Sequence, residues 1–148
     1  MDLYIGSDHA GVWLKKRIFE HLESNGHNAI DLGVFDEKDK VDYPDVAREV
    51  GEKIIENAGA RGILVCGTGI GMSIAANKVK GIRAACAHDV TTAKMAALHN
   101  NANILTLGER IVGEQVAKDM VDVWMETKFE GGRHENRVNK IMDIEKND

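Results

Sequence analysis

Apolar residues in this chain fall alternately into short unbroken runs and into stripes spaced for a helix, and the alternation persists along its length. Leu3-Tyr4-Ile5-Gly6 predicts a first strand. Residues 10–25 set Leu14, Ile18 and Leu22 four apart with charges between them, an amphipathic helix that Gly26 is suited to cap. Ala29-Ile30-Asp31-Leu32-Gly33 is a weaker second strand. An acidic loop (36–42) then leads to Tyr43-Pro44-Asp45, where the only proline opens or immediately precedes a helix through Ile55. Gly62-Ile63-Leu64-Val65-Cys66 has no polar face and predicts a central parallel strand covered on both sides. Gly67-Thr68-Gly69-Ile70-Gly71 breaks it before a helix of small residues over 72–78. Two further strands, 82–87 and 102–108, flank a helix over 91–98. Val116, Met120, Val123 and Trp124 form the buried stripe expected of the last long helix. The methionines and Trp13 are expected in the core with Trp124, and a glycine-led tail runs into a polar helix ending near Lys146.

Five strands alternating with helices predict an α/β chain: a Rossmann-like three-layer sandwich around a five-stranded parallel sheet, with a C-terminal helical tail. At 148 residues this is expected to be one domain, 1–148. Hydrophobic residues make up 43% and charged residues 29%, a composition that excludes intrinsic disorder. No apolar run approaches the roughly 20 residues of a membrane helix. Nineteen Lys and Arg against 24 Asp and Glu give a net charge of −5, which argues against a nucleic-acid binder. The amino terminus lacks a basic start and long apolar stretch, so a cytoplasmic location and two free thiols are expected.

In wound sheets of this kind ligands bind beyond the carboxyl ends of the strands. Asp8-His9, Cys66 with its glycine loop, His88-Asp89 and Arg110 all fall there, and His99-Asn100 follows the fourth helix. Three glycines in five residues suit either a tight turn or a cradle of N–H groups for an anion. The spacing matches neither the dinucleotide fingerprint nor a Walker loop. Cys66 is either a small buried hydrophobe or a thiol activated by the adjoining helix start, whereas Cys86 reads as the former. Asp8 and His9 suit sugar hydroxyls or a proton relay, and Asp8 or Ser7 equally suits a helix cap. Arg133 and Arg137, four apart, form either a fork for phosphate or an exposed charged face. The six histidines show no familiar metal-ligand spacing, so no metal is expected.

Taken together, Gly6-Ser7-Asp8-His9-Ala10-Gly11, Asp42-Tyr43-Pro44, Cys66-Gly67-Thr68-Gly69-Ile70-Gly71, Ala75-Ala76-Asn77-Lys78, His99-Asn100 and Gly131-Gly132-Arg133-His134 resemble the type B ribose-5-phosphate isomerases, which are grouped with the galactose-6-phosphate isomerase subunits. The resemblance implies an aldose–ketose isomerase acting on ribose 5-phosphate without a cofactor. It implies a homodimer, sometimes paired into a tetramer, whose tail from about residue 129 reaches an active site shared between subunits. Cys66 would then be the base and His99 the ring-opening acid, with Thr68 and the amides of Gly67, Gly69, Ile70 and Gly71 stabilising an enediolate. Asp8, His9, Tyr43 and Asn100 would hold the sugar, and Arg110, Arg133 and Arg137 the phosphate. One branch of the family has a glutamate base where this chain has Met72, which leaves Cys66 as the candidate. Allose or galactose 6-phosphate as substrate, and a non-catalytic sugar-phosphate sensor, are the alternatives. No membrane or nucleic-acid partner is implied.

Overall fold

The computed structural model describes residues 1–147. Five strands alternate with helices in chain order: β1 (Leu3–Ser7), α1 (Val12–Ser24), β2 (Ala29–Asp31), α2 (Tyr43–Glu56), β3 (Arg61–Cys66), α3 (Ile70–Ala76), β4 (Ala84–Cys86), α4 (Val90–Leu98), β5 (Ile104–Gly108), α5 (Glu114–Glu126) and α6 (Arg133–Ile144). The strands form one parallel sheet in the order β2-β1-β3-β5-β4. This is the expected three-layer α/β architecture. Each strand return is a helical crossover, which a parallel pair requires.

Alternation along the strands sends neighbouring side chains to opposite faces, and each face has its own core. On one face Ile5, Ile63, Val65 and Leu105 pack with Leu14, Ile18 and Leu22 of α1, Ala93, Ala96 and Ala97 of α4, and Met120, Val121 and Trp124 of α5. On the other, Tyr4, Leu64 and Ile104 pack with Val46, Val50 and Ile54 of α2 and Met72 and Ala76 of α3. Because α1 and α2 cover opposite faces, the winding reverses between β1 and β3. Their carboxyl ends therefore splay apart and leave a crevice.

Three sequence expectations shift. Val116 is exposed, and the buried stripe of α5 runs instead through Ala117, Met120, Val121 and Trp124. Trp13 is 49% exposed, its ring lying under the Arg17 guanidinium rather than in the core. Met1 is exposed too, while Met72 and Met120 are fully buried. α3 also begins at Ile70 rather than Met72, because Gly69 takes the left-handed turn that starts it.

Two polar devices fix edges that hydrophobic patterning leaves open. The Asn77 side chain donates to Ala84 O at 3.0 Å and accepts from Ala84 N at 2.7 Å, standing in for a missing strand beside β4. The buried Lys15 ammonium meets Asp31 Oδ1 at 2.7 Å and Val34 O at 2.6 Å, tying α1 to the chain that leaves β2.

Candidate active site

The crevice at the reversal point is a cleft of about 510 Å³ lined by Asp8, His9, Tyr43, Cys66, Gly67, Thr68, Ile70, Gly71 and Arg110, with Ala10 and Ile74. These residues come from the ends of β1, β3 and β5 and the starts of α2 and α3, segments far apart in sequence. Cys66 is the last residue of β3 and 5% exposed. Its sulfur accepts a hydrogen bond from Gly69 N–H at 3.1 Å. Gly69 reaches that position with φ +81°, and Thr106 Oγ1 donates to its carbonyl at 2.8 Å from below. The Ile70 N–H donates to Thr68 Oγ1 at 3.3 Å. The glycine loop is therefore folded back over the thiol, with a donor on the atom where negative charge would sit.

The other lining groups have definite partners. Asp8 is buried and caps the helical turn after it, its Oδ1 accepting from Ala10 N–H at 3.0 Å, as the capping reading of the sequence expected. The adjacent His9 Nδ1 and Ser7 Oγ are buried without a hydrogen-bond partner among the described residues. Tyr43 stands against Gly71 so closely that a Cβ on Gly71 would lie 2.6 Å from its ring. The Arg110 guanidinium lies over Gly67, 3.5 Å from where a Cβ would be, so this cation belongs to the cleft that holds the thiol. Cys86 is half-buried at the end of β4 rather than fully buried as expected; it lies outside the cleft lining, and its partial burial pushes the thiol up from the ordinary cysteine value. Met72 is fully buried in the core, and His88 is exposed beside the cap of α4.

The remaining predicted residues lie outside this cleft. Asn100 lines a separate cavity of about 410 Å³ between β4 and α6, with Asn77, Ile82, Arg83 and Ile141. Arg133 and Arg137 are exposed at the start of α6, and Arg137 Nη1 donates to Arg133 O at 3.4 Å. His99 caps the carboxyl end of α4, where its ring stacks on His134 with centroids 4.1 Å apart and planes 12° apart. Both Nε2 atoms approach Glu130 Oε2, at 3.6 Å from His99 and 3.5 Å from His134. Sequence spacing missed this trio because its members come from a helix end, a linker and the next helix. Ligand atoms of the three lie within 4.8 Å of one another. Near-parallel rings, however, cannot aim in-plane lone pairs at a single ion. Arg133 Nε, 3.5 Å from His134 Nε2, also opposes a second cation there.

A profile of the Ribose/Galactose Isomerase family matches residues 3–141. The chain belongs to that family. Its fellow members include the ribose-5-phosphate isomerase B of Escherichia coli strain K12, 43% identical over 140 residues, or 95% of this chain and 93% of that one. Among solved structures, the ribose-5-phosphate isomerase B of Clostridium thermocellum superposes with a TM-score of 0.93 at 50% identity, covering 99% of both chains. The Mycoplasma genitalium ribose-5-phosphate isomerase B, solved with bound ribulose-5-phosphate, gives 0.95 at 44% identity over 99% of this chain and 97% of that one. This chain is thus an aldose–ketose isomerase by family, and no helix among its described residues is long and apolar enough to cross a membrane.

Proposed function

We propose that the protein interconverts D-ribose 5-phosphate and D-ribulose 5-phosphate, with Cys66 as the base. The observation that carries this reading is the Cys66 sulfur at the cleft wall, held by the Gly69 N–H at 3.1 Å beneath a loop rich in further donors. In the open-chain aldose the thiolate takes the proton from C2. The electrons move into a C1–C2 enediolate, and the same proton returns to C1. The hydroxyl proton passes from O2 to O1, so the sum of atoms is unchanged and no cofactor is called for. Charge on the enediolate oxygen meets the Thr68 hydroxyl, whose oxygen the Ile70 N–H supports at 3.3 Å, and the amides of Gly67 and Gly71; a pre-aimed donor of this kind typically contributes ~10²–10³ in rate. The Gly69 amide is already on the sulfur, so its role falls on the base rather than on the oxyanion. Asp8, His9 and Tyr43 suit the sugar hydroxyls.

A single chain leaves this site half built. Its ring-opening acid, His99, and its phosphate ligands Arg133 and Arg137 do not line the cleft that contains Cys66. Ile70 and Ile74 on its rim are more than half exposed, an apolar mouth suited to cover by a second copy. A homodimer in which each subunit lends His99, Asn100, Arg133 and Arg137 to the other's cleft accounts for both observations, with Arg110 already in place.

The test is a steady-state assay on ribose 5-phosphate and allose 6-phosphate side by side, with Cys66→Ala as control. Higher kcat/KM on the pentose, lost in the variant, supports the reading. Preference for the hexose moves the substrate and keeps the chemistry. No turnover of either by folded protein leaves a sugar-phosphate sensor.

A further inference from the structure

We propose that His134 is a positioning residue for His99: of the two stacked imidazoles, His134 is kept neutral so that His99 carries the proton opposite Glu130. The proposal rests on the reading of His99 as the ring-opening acid and names what prepares it.

The arrangement is built by the backbone. The Glu130 N–H donates to Leu98 O at 3.0 Å, pinning the tail to the last turn of α4. Gly131 and Gly132 then turn with φ +71° and +53°, and the His134 N–H closes on Gly131 O at 3.0 Å. That turn lays the His134 ring on His99 at 4.1 Å and brings both Nε2 atoms within ion-pair range of one carboxylate oxygen.

Two imidazolium ions in that stack would repel each other, so the pair favours a single proton. The charged and titratable groups facing His134 are His99 from α4, Glu130 from the linker, and Arg133 and Arg137 from α6. Arg133 Nε points at His134 Nε2 from 3.5 Å. A guanidinium only donates, so that nitrogen serves as the acceptor and the His134 proton sits on Nδ1. His134 is also 9% exposed, and burial followed by the neighbouring His99 and Arg133 holds its titration below the ordinary histidine value. The His99 side chain is 35% exposed and faces the Glu130 carboxylate, and among the described residues no arginine hydrogen-bonds its Nε2. The proton that Glu130 attracts therefore belongs on His99, the ring with access to solvent.

Nitrogen-15 NMR of the intact, histidine-labelled protein reads the protonation of each ring directly. As the stacked pair takes up its first proton, His134 should stay neutral with its own proton on Nδ1. His134 charging first overturns the proposal. A second readout compares His134→Phe with the wild type on two reactions. Turnover of ring-closed ribose 5-phosphate should fall about tenfold or more, with a displaced pH profile. Solvent deuterium exchange into C1 of ribulose 5-phosphate should stay within about twofold, because its phosphorylated O5 cannot close a furanose and only the base is used. Equal losses in both reactions, or no loss in either, overturn it. His99→Ala separates the two layers: if that variant keeps full turnover of ribose 5-phosphate, the ring-opening role itself fails. If it loses turnover while His134→Phe does not, only the positioning role fails.

Discussion

The Gly69 N–H donates to Cys66 Sγ at 3.1 Å, and Gly69 makes this bond from a left-handed backbone with φ +81°. An L side chain in that conformation is strained by about 1–2 kcal/mol. Its Cβ would also stand 2.9 Å from the Leu107 carbonyl carbon and 3.2 Å from Gly108 N, backbone atoms that cannot turn aside. Gly69→Ala is therefore expected to cost about 2 kcal/mol or more in a denaturant titration and to lower kcat more than about tenfold by moving the donor off the sulfur. Unchanged kcat in a folded variant would show that the loop geometry does not serve the thiol.

The proposed homodimer makes a distinct prediction. Neither Cys66→Ala nor His99→Ala alone should turn over ribose 5-phosphate well. Co-expressed in equal amounts, they should recover about a quarter of wild-type activity, since half of random dimers carry one intact site of two. No recovery, with mixed dimers demonstrated by mass spectrometry, would place both residues in one subunit's site.

Arg137→Ala should raise KM with little change in kcat. Loss of a charged hydrogen bond to phosphate corresponds to about 1.5–3 kcal/mol, or roughly 10–150-fold in KM. A fall in kcat at constant KM would assign the guanidinium to the reacting centre instead.

The Lys15–Asp31 pair separates charge from packing. Lys15 is 1% exposed, so Asp31→Ala strands an ammonium in the core and is expected to destabilise by about 3–5 kcal/mol. Lys15→Met, which removes the charge and keeps the stem, should cost clearly less. Matching costs in thermal unfolding would mean that the ion pair contributes nothing beyond its contacts.

Acid should loosen the tail through His134. Its titration is lowered in the fold, first by burial and then by His99, Arg133 and Arg137, so the folded state binds the proton less readily than the unfolded chain. The associated stability is complete above the ordinary histidine value, about 6.5, and declines as the pH falls below it. Thermal unfolding at pH 7.5 and 5.5 should show a smaller acid-induced drop for His134→Gln than for the wild type. An identical drop would locate the acid sensitivity elsewhere.

Local chemistry made much of the fold legible. The polarity-free run ending at Cys66 carried the signature of a strand covered on both faces, and Leu14, Ile18 and Leu22 marked the face of α1 that meets the core. Val116 and Trp13 misled because helical spacing alone does not tell which of two adjoining stripes meets the sheet. Tertiary packing selected Ala117 and Val121 for one, and the Arg17 guanidinium covers the other. The cleft was partly legible, since Asp8, His9, Cys66, Gly67, Thr68 and Arg110 follow strands whose ends must cluster in a wound parallel sheet. The Glu130–His134 partnership with His99 had no sequence signal, because two glycines with positive φ create it.

The order of apolar runs and helical stripes by itself determined a parallel α/β sheet with helices on both faces. The residue motifs determined the family, because each type is demanded by backbone or side-chain chemistry at one place. Which strands are neighbours, which of two cores each helix joins, and the separation of Cys66 from His99 were decided only in three dimensions. The physical reason is that these depend on contacts between residues far apart in the chain, where the energy lies in burial and close approach rather than in local propensity.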